Sequence, residues 1–138
     1  MTRRVANPDW PRFDRATFSA AVRMGETWIL SGIGSTDARG DVLHADDLVE
    51  QTRQIYVNAS EIMRIAGTSM ESVVKTVDYI VPQAVKEYGL TRQVRREFFA
   101  SPFPAATGVV VHSLLRQGML IEIEFWALAT DEATAEAG

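Results

Sequence analysis

This chain of 138 residues contains no cysteine. That absence excludes disulfides, thiolate metal sites and a cysteine nucleophile, and it permits a reducing compartment. Histidine is nearly absent too. His44 and His112 stand apart with no ligand spacing between them, so neither a metal nor another cofactor is expected. No apolar run approaches the roughly 20 residues that a membrane span needs. The stretch from Met1 to Trp10 carries charge but no apolar segment of signal-peptide length. A cytoplasmic protein without a membrane partner is the expectation. Positive charge is not in surplus either: 14 basic against 18 acidic residues leave a net charge of −4, which argues against nucleic acid as a partner. Arginine supplies twelve of the fourteen cations, and its planar fork is the better clamp for a carboxylate.

Internal repeats and low-complexity linkers are also missing, and the length fits one domain over residues 1–138. A domain of this size buries roughly two thirds of its unfolded surface and folds without a staple. Its core is expected over about residues 17–130, between two flexible ends. These are residues 1–15, with Pro8 and Pro11, and the Ala/Glu/Thr tail from Asp131.

Within the core, Phe18, Ala20 and Val22 alternate with Ser19, Ala21 and Arg23. Met24-Gly25-Glu26-Thr27 supplies a turn before Trp28-Ile29-Leu30, so a hairpin is predicted over residues 18–30. Ser31-Gly32-Ile33-Gly34-Ser35 reads as a glycine-rich strand end. A long helix is predicted to start at Asp46 or Asp47, either a good N-cap, and to stop at Gly67. Leu48, Ile55, Ala59, Ile62 and Ala66 form its buried stripe. Residues 72–81 read as a strand ended by Pro82, and residues 91–100 as a second helix packing Val94 and Phe98. Residues 108–114 and 119–129 read as two closing strands. This order implies the α+β class, a mixed sheet with two helices packed on one face. The other face stays apolar and uncovered, which predicts self-association.

Several segments are similar to one known family in the right order. Phe18-Ser19-Ala20-Ala21-Val22 resembles the opening Tyr-Ser-x-Ala-Val of the Rid (YjgF) family, and Ile29-Leu30-Ser31-Gly32 its Val-Ser-Gly strand end. Gln51-Thr52-Arg53 resembles a stretch of its first helix, Val73-Val74-Lys75-Thr76 its third strand, and Arg96-Glu97-Phe98-Phe99 the end of its second helix. Pro104-Ala105-Ala106-Thr107 stands where the family carries Pro-Ala-Arg-Ser or Pro-Ala-Arg-Thr, and Leu120-Ile121-Glu122-Ile123-Glu124 resembles its closing Val-Glu-Ile-Glu. The resemblance implies a chorismate-mutase-like subunit, a homotrimer whose sheets form a central barrel, and small-molecule sites between subunits. It also implies hydrolysis of reactive enamines and imines. In that chemistry an arginine binds the substrate carboxylate, and the first glutamate of the last strand positions water or protons.

The arginine is missing here. Ala106 takes its place if Pro104-Ala105 is held in register, and Thr107 if the count runs back from Glu122; neither is charged. The family tyrosine is Phe18, without a hydroxyl. Glu122 and Glu124 share a strand face with Trp126, so like charges beside apolar groups would raise at least one pKa, as proton transfer requires. The plain alternative is a polar strip at a subunit seam. Asp78 interrupts a strand otherwise fit for burial, so it is either paired or poised for catalysis. Tyr79 faces the other way and reads as packing. Arg92, opening the second helix, is a candidate substitute for the lost clamp, against the commoner use of such arginines on a solvated helix face. Ser31, Gly32 and Gly34 offer backbone donors for an oxyanion or polar head, although tight turning explains the glycines equally well. Phe18 and Trp126 would cover an apolar body.

The leading expectation is therefore a hydrolase or deaminase acting on a small enamine, imine or related C–N substrate, distinct from the standard 2-iminopropionate reaction. Its catalytic candidates are Glu122 and Asp78. The alternative is a non-catalytic metabolite-binding trimer. Ribonuclease activity, a third reading, is disfavoured by the acidic charge and the lack of a basic aromatic strip.

Overall fold

The longest element follows from the chain's own punctuation. In a computed structural model, which describes residues 3–130, helix α1 spans Leu48–Ala66. Asp47 caps it by accepting a hydrogen bond from the Glu50 amide at 3.1 Å, and Gly67 ends it in the left-handed region at φ 84°. The expected stripe is buried, with Ile55 and Ala59 wholly out of solvent.

Among the described residues seven strands form one sheet: β1 (Val5–Ala6), β2 (Ala21–Met24), β3 (Thr27–Leu30), β4 (Ile33–Gly34), β5 (Val73–Ile80), β6 (Ala105–Val110) and β7 (Ile121–Leu128). Their order is β1-β2-β3-β7-β5-β6, with β4 also paired to β7. The pairs are antiparallel except β5 with β6, whose crossover contains a 3₁₀ stretch (Pro82–Thr91) and helix α2 (Arg92–Phe98). The sheet is thus mixed, as expected of an α+β chain.

One face of the sheet is closed by the helices. Ile121, Ile123, Phe125 and Ala127 of β7 point into it and are fully buried. Tyr56 of α1 meets Phe125 edge-on at 5.2 Å and Phe99 at 5.5 Å. Each such fully buried large side chain contributes about 1.5–3 kcal/mol. Arg53 of α1 grips Glu97 of α2 at 2.9 and 2.6 Å and fixes the two helices together at the surface.

Three expectations need correction. Of the end read as flexible, residues 3–15 pack on the fold: β1 pairs with β2, Ala6 is 4 % exposed, and the Asn7 side chain accepts from the Ala20 amide at 2.7 Å. Its prolines misled because they punctuate a segment that packs on the core rather than one that leaves it. The tail from Asp131 lies outside the described residues. Phe18 and Ser19 precede the first hairpin strand, since that asparagine bond and the Ser31 amide on the Ala20 carbonyl hold the backbone there. The strand read over residues 108–114 runs instead over Ala105–Val110. The β-branched run Val109–Val111 drew the reading late, whereas pairing with β5 starts at Ala105 opposite Lys75.

Candidate functional site

Alternation along β7 sends Glu122, Glu124 and Trp126 to the face that no helix of the described residues covers. Glu122 is flanked by Gly34 of β4 on one side and Tyr79 of β5 on the other. Between β3 and β4 the chain carries one extra residue: Ile29 pairs with Trp126 but Ile33 with Ile123, four steps against three. This is a bulge at Ser31-Gly32, and it brings the Gly32 backbone against the Glu122 carboxyl. A Cβ on Gly32 would stand 2.9 Å from Glu122 Cδ and 3.1 Å from its Oε2. Any larger residue at 32 displaces the carboxylate.

Two buried amides on α1 hold this corner. Asn58 donates to the carbonyls of Gly34 at 3.3 Å and Thr36 at 2.9 Å, fixing β4. Gln51 donates to the Gly118 carbonyl at 2.7 Å and accepts from the Leu120 amide at 2.8 Å, fixing the entry into β7. A narrow cleft opens beside Gly32, lined by Trp10, Arg12, Phe13, Phe18, Ser31 and Ile33 among others. Phe13 and Phe18 meet edge-on at 5.9 Å along it.

The electrostatics single out Glu122. Burial first, then the neighbouring Glu124 charge, push its pKa above the ordinary carboxylate range, while Arg12 pulls it partly back. Among the described residues it accepts no hydrogen bond. Glu124, by contrast, accepts one from the Tyr79 hydroxyl. A half-buried carboxyl with a raised pKa and no hydrogen-bond partner among the described residues is suited to exchange protons with a bound molecule or to orient water.

The structure brings Phe18, Ser31, Gly32, Gly34 and Glu122 together. Ser31 turns its donors inward, its amide to the Ala20 carbonyl at 2.8 Å and its hydroxyl to the Ser19 carbonyl at 2.6 Å, so neither serves a ligand as they stand. Other candidates lie apart. Asp78 pairs with Ile123, so it faces the helices, opposite Glu122, and is 3 % exposed. There it accepts from the Tyr88 hydroxyl at 2.6 Å, burial raises its pKa, and its Oδ1 has no hydrogen-bond partner among the described residues. Asp78 and Glu122 of one chain cannot act on the same atom. Trp126 is four residues from Glu122, about 13 Å along the strand. Arg92 is exposed and borders a different depression with Arg95, Arg96 and Phe103. Ala106 and Thr107 lie on β6, two strands from β7, or about 10 Å. Alternation separates these two: Thr107, paired with Val77, shares the open face and accepts from the Lys75 ammonium at 2.8 Å, whereas Ala106 pairs with the buried Thr76.

Two residues escaped sequence reasoning. Arg12 sits in the segment read as loose, and only the folding-back of that segment places it in the cleft. Tyr79, read as packing, lies opposite Glu122 and bonds Glu124; its alternation with Asp78 was visible, but the register with β7 was not.

Comparisons with known proteins find relatives along most of the chain. A family model described as Endoribonuclease L-PSP matches residues 12–129. A RutC family protein of Pyrococcus horikoshii is 30 % identical over 107 residues, covering 78 % of this chain and 82 % of that one. The human 2-iminobutanoate/2-iminopropanoate deaminase is 29 % identical over 118 residues, covering 86 % and 84 %. Among solved structures, a Rid-family protein from Yersinia pestis superposes with a TM-score of 0.82 at 25 % identity, covering 93 % of this chain and all of that one. A RidA protein from an Antarctic Psychrobacter gives 0.79 at 25 %, covering 91 % and 99 %.

Proposed function

We propose, from the premise that this chain belongs to the Rid (YjgF) family, that it is a deaminase hydrolysing a small enamine or imine at a site centred on Glu122. The observation that carries the reading is the Glu122 carboxyl itself, half-buried, held up in pKa, without a hydrogen-bond partner among the described residues and pressed against Gly32. Hydrolysis of a C=N bond needs a proton delivered to nitrogen and a water aimed at carbon, and a carboxyl whose pKa is raised by burial holds its proton more readily for the first step and can accept one back in the second. The 2-imino acid deaminase among its relatives supports the reaction class. A net charge of −4 counts against ribonuclease activity.

The site takes its remaining wall from a second copy of the chain, in a homotrimer. Strand β6 is exposed along its whole length at the sheet edge, with Val109 39 % and Val110 54 % exposed, and the sheet face that bears Glu122 has no helix of the described residues over it. Apolar surface of this kind on a small domain favours an interface between copies. Thr107 and Lys75 would then reach a neighbour's Glu122.

The substrate is not the standard 2-iminopropanoate, because Ala106 and Thr107 cannot clamp its carboxylate as arginine does; a charge-assisted pair is worth about 1.5–3 kcal/mol. Ammonia release from 2-iminopropanoate and from bulkier imines, generated in place by an amino-acid oxidase, tests this. Slow turnover of the first and faster turnover of a bulkier one is expected, with Thr107→Arg restoring more 2-iminopropanoate activity than Ala106→Arg. Full activity on 2-iminopropanoate in the unmodified protein contradicts the substrate assignment. A second reading, a metabolite-binding trimer without catalysis, is favoured by the missing hydroxyl at Phe18; it stands if no imine in the panel is hydrolysed faster than in buffer.

A further inference from the structure

Glu122 and Glu124 stand two residues apart on β7, about 7 Å between their Cα atoms, so the two carboxyl side chains leave the sheet side by side. Tyr79 of β5 pairs with Glu122, and Val77 pairs with Glu124. The Tyr79 hydroxyl nevertheless bypasses its own partner and donates to the carboxylate on the diagonal, Glu124. A phenol has one proton to give, so that bond leaves none for Glu122. Glu122 is confined from the other side by Gly32, whose missing Cβ would stand 2.9 Å from Glu122 Cδ. One carboxyl is tied by its hydrogen bond and the other has backbone behind it, which keeps two like charges as neighbours.

The charges around Glu122 come from three elements. The N-terminal segment supplies Arg12, with Arg116 near it; β7 supplies Glu124; β5 supplies Tyr79, with Lys75 further along the same face and engaged with Thr107. Residues 31–34, on the remaining side, carry no titratable group. After burial, Glu124 is the strongest influence on Glu122 and favours its protonated form, whereas Arg12 opposes it. The hydrogen bond to Glu124 in turn raises the Tyr79 pKa, so the hydroxyl keeps its proton and goes on donating. We propose that Tyr79 and Glu124 are a positioning pair: Tyr79 ties the Glu124 carboxylate beside Glu122, and the negative charge held there keeps Glu122 in the acid form that a C=N nitrogen needs. This rests on the deaminase reading of Glu122 and adds the source of its proton-holding power. Neither member of the pair has to touch the substrate.

The test is a carbon-13 magnetic resonance titration of the full-length protein labelled at its glutamate carboxyls, with the Glu122 signal identified by its absence in Glu122→Gln. Glu124→Gln should lower the Glu122 midpoint by about half a pH unit or more, the size expected of a like charge removed from a neighbouring strand position. Tyr79→Phe keeps the ring but frees Glu124 to swing towards solvent, and it should give a smaller shift of the same sign. Glu61→Gln removes one negative charge from α1, on the other side of the sheet, and should leave the midpoint where it is. With an imine that the protein hydrolyses, the alkaline limb of kcat/KM should move down in pH with the midpoint, while the rate on the acid side of the profile stays within a few-fold. Melting temperatures report on folding, and if Glu124→Gln fails to fold, Tyr79→Phe decides. An unmoved midpoint in Glu124→Gln or in Tyr79→Phe overturns the proposal, as does an equal shift in Glu61→Gln. The titration does not depend on turnover. A midpoint that follows Tyr79 and Glu124 in a protein that hydrolyses no imine keeps the pair and removes the deaminase reading, and an active enzyme whose Glu122 ignores both variants does the reverse.

Discussion

The two faces of the β5–β7 pair each carry a carboxyl group whose surroundings raise its pKa, and they treat it in opposite ways. On the helix side Asp78 is enclosed, with Tyr88 donating to it and Arg95 reaching the neighbouring Thr76 and Tyr56 hydroxyls at 2.9 and 3.2 Å. On the open side Glu122 is flanked by a glycine and a tyrosine, lies against a residue with no side chain, and accepts no hydrogen bond among the described residues. Burial produces both shifts, but only on the open face can a ligand reach the group. A raised pKa therefore marks the site here only when joined to access, because the enclosed carboxyl is shifted in the same direction and has a structural reason for it.

The difference is sharpest in packing. Phe125→Ala, on the helix face, removes a wholly buried ring in contact with Tyr56 and should cost about 3–5 kcal/mol in denaturant unfolding. A loss below about 1 kcal/mol would mean that the helix face is not the core. Smaller, and confined to the open face, is the effect of Gly32→Ala. The new methyl meets the Glu122 carboxyl carbon at 2.9 Å, so turnover should fall roughly tenfold, on the scale of a misplaced acid–base group, while the melting temperature barely moves. Unaltered kinetics in that variant would disconnect Gly32 from the chemistry.

Smallest is the pH dependence that Asp78 lends to stability. Its folded pKa lies above its unfolded value, so the folded state holds the proton over a pH range in which the unfolded chain has released it. Stability from this group is complete below the unfolded pKa near 3.8 and is lost as pH rises through the raised folded value. Asp78→Asn, which keeps an acceptor for Tyr88, should flatten that decline. Unfolding curves with an undiminished pH slope in the variant would assign the decline to another group.

How much of this was legible in the sequence depended on how local each cause is. The cap at Asp47, the stop at Gly67 and the buried stripe of α1 are written in adjacent residues, and they appear where expected. Glu122, too, stood out by alternation and by resemblance. What one strand cannot reveal is its register with another. The pairing of Tyr79 with Glu122 and of Asp78 with Ile123 placed the two catalytic candidates on opposite faces, although alternation within β5 alone left either orientation open. Arg12 was hidden for a related reason. Its place in the cleft depends on a two-residue strand and on the Asn7 side chain, neither of which has a periodicity to read.

The central claim is that Glu122, and not Asp78, carries the proton chemistry, and turnover of Glu122→Gln beside Asp78→Asn tests it most directly. With the imine that the unmodified protein hydrolyses fastest, Glu122→Gln should lose about 10²-fold or more in kcat while keeping its oligomeric mass and melting temperature, because size and shape are preserved and only the exchangeable proton is gone. Asp78→Asn should stay within a few-fold of the unmodified rate. An intact Glu122→Gln assembly that turns over normally, or an Asp78→Asn protein that is folded and inactive, would contradict the account.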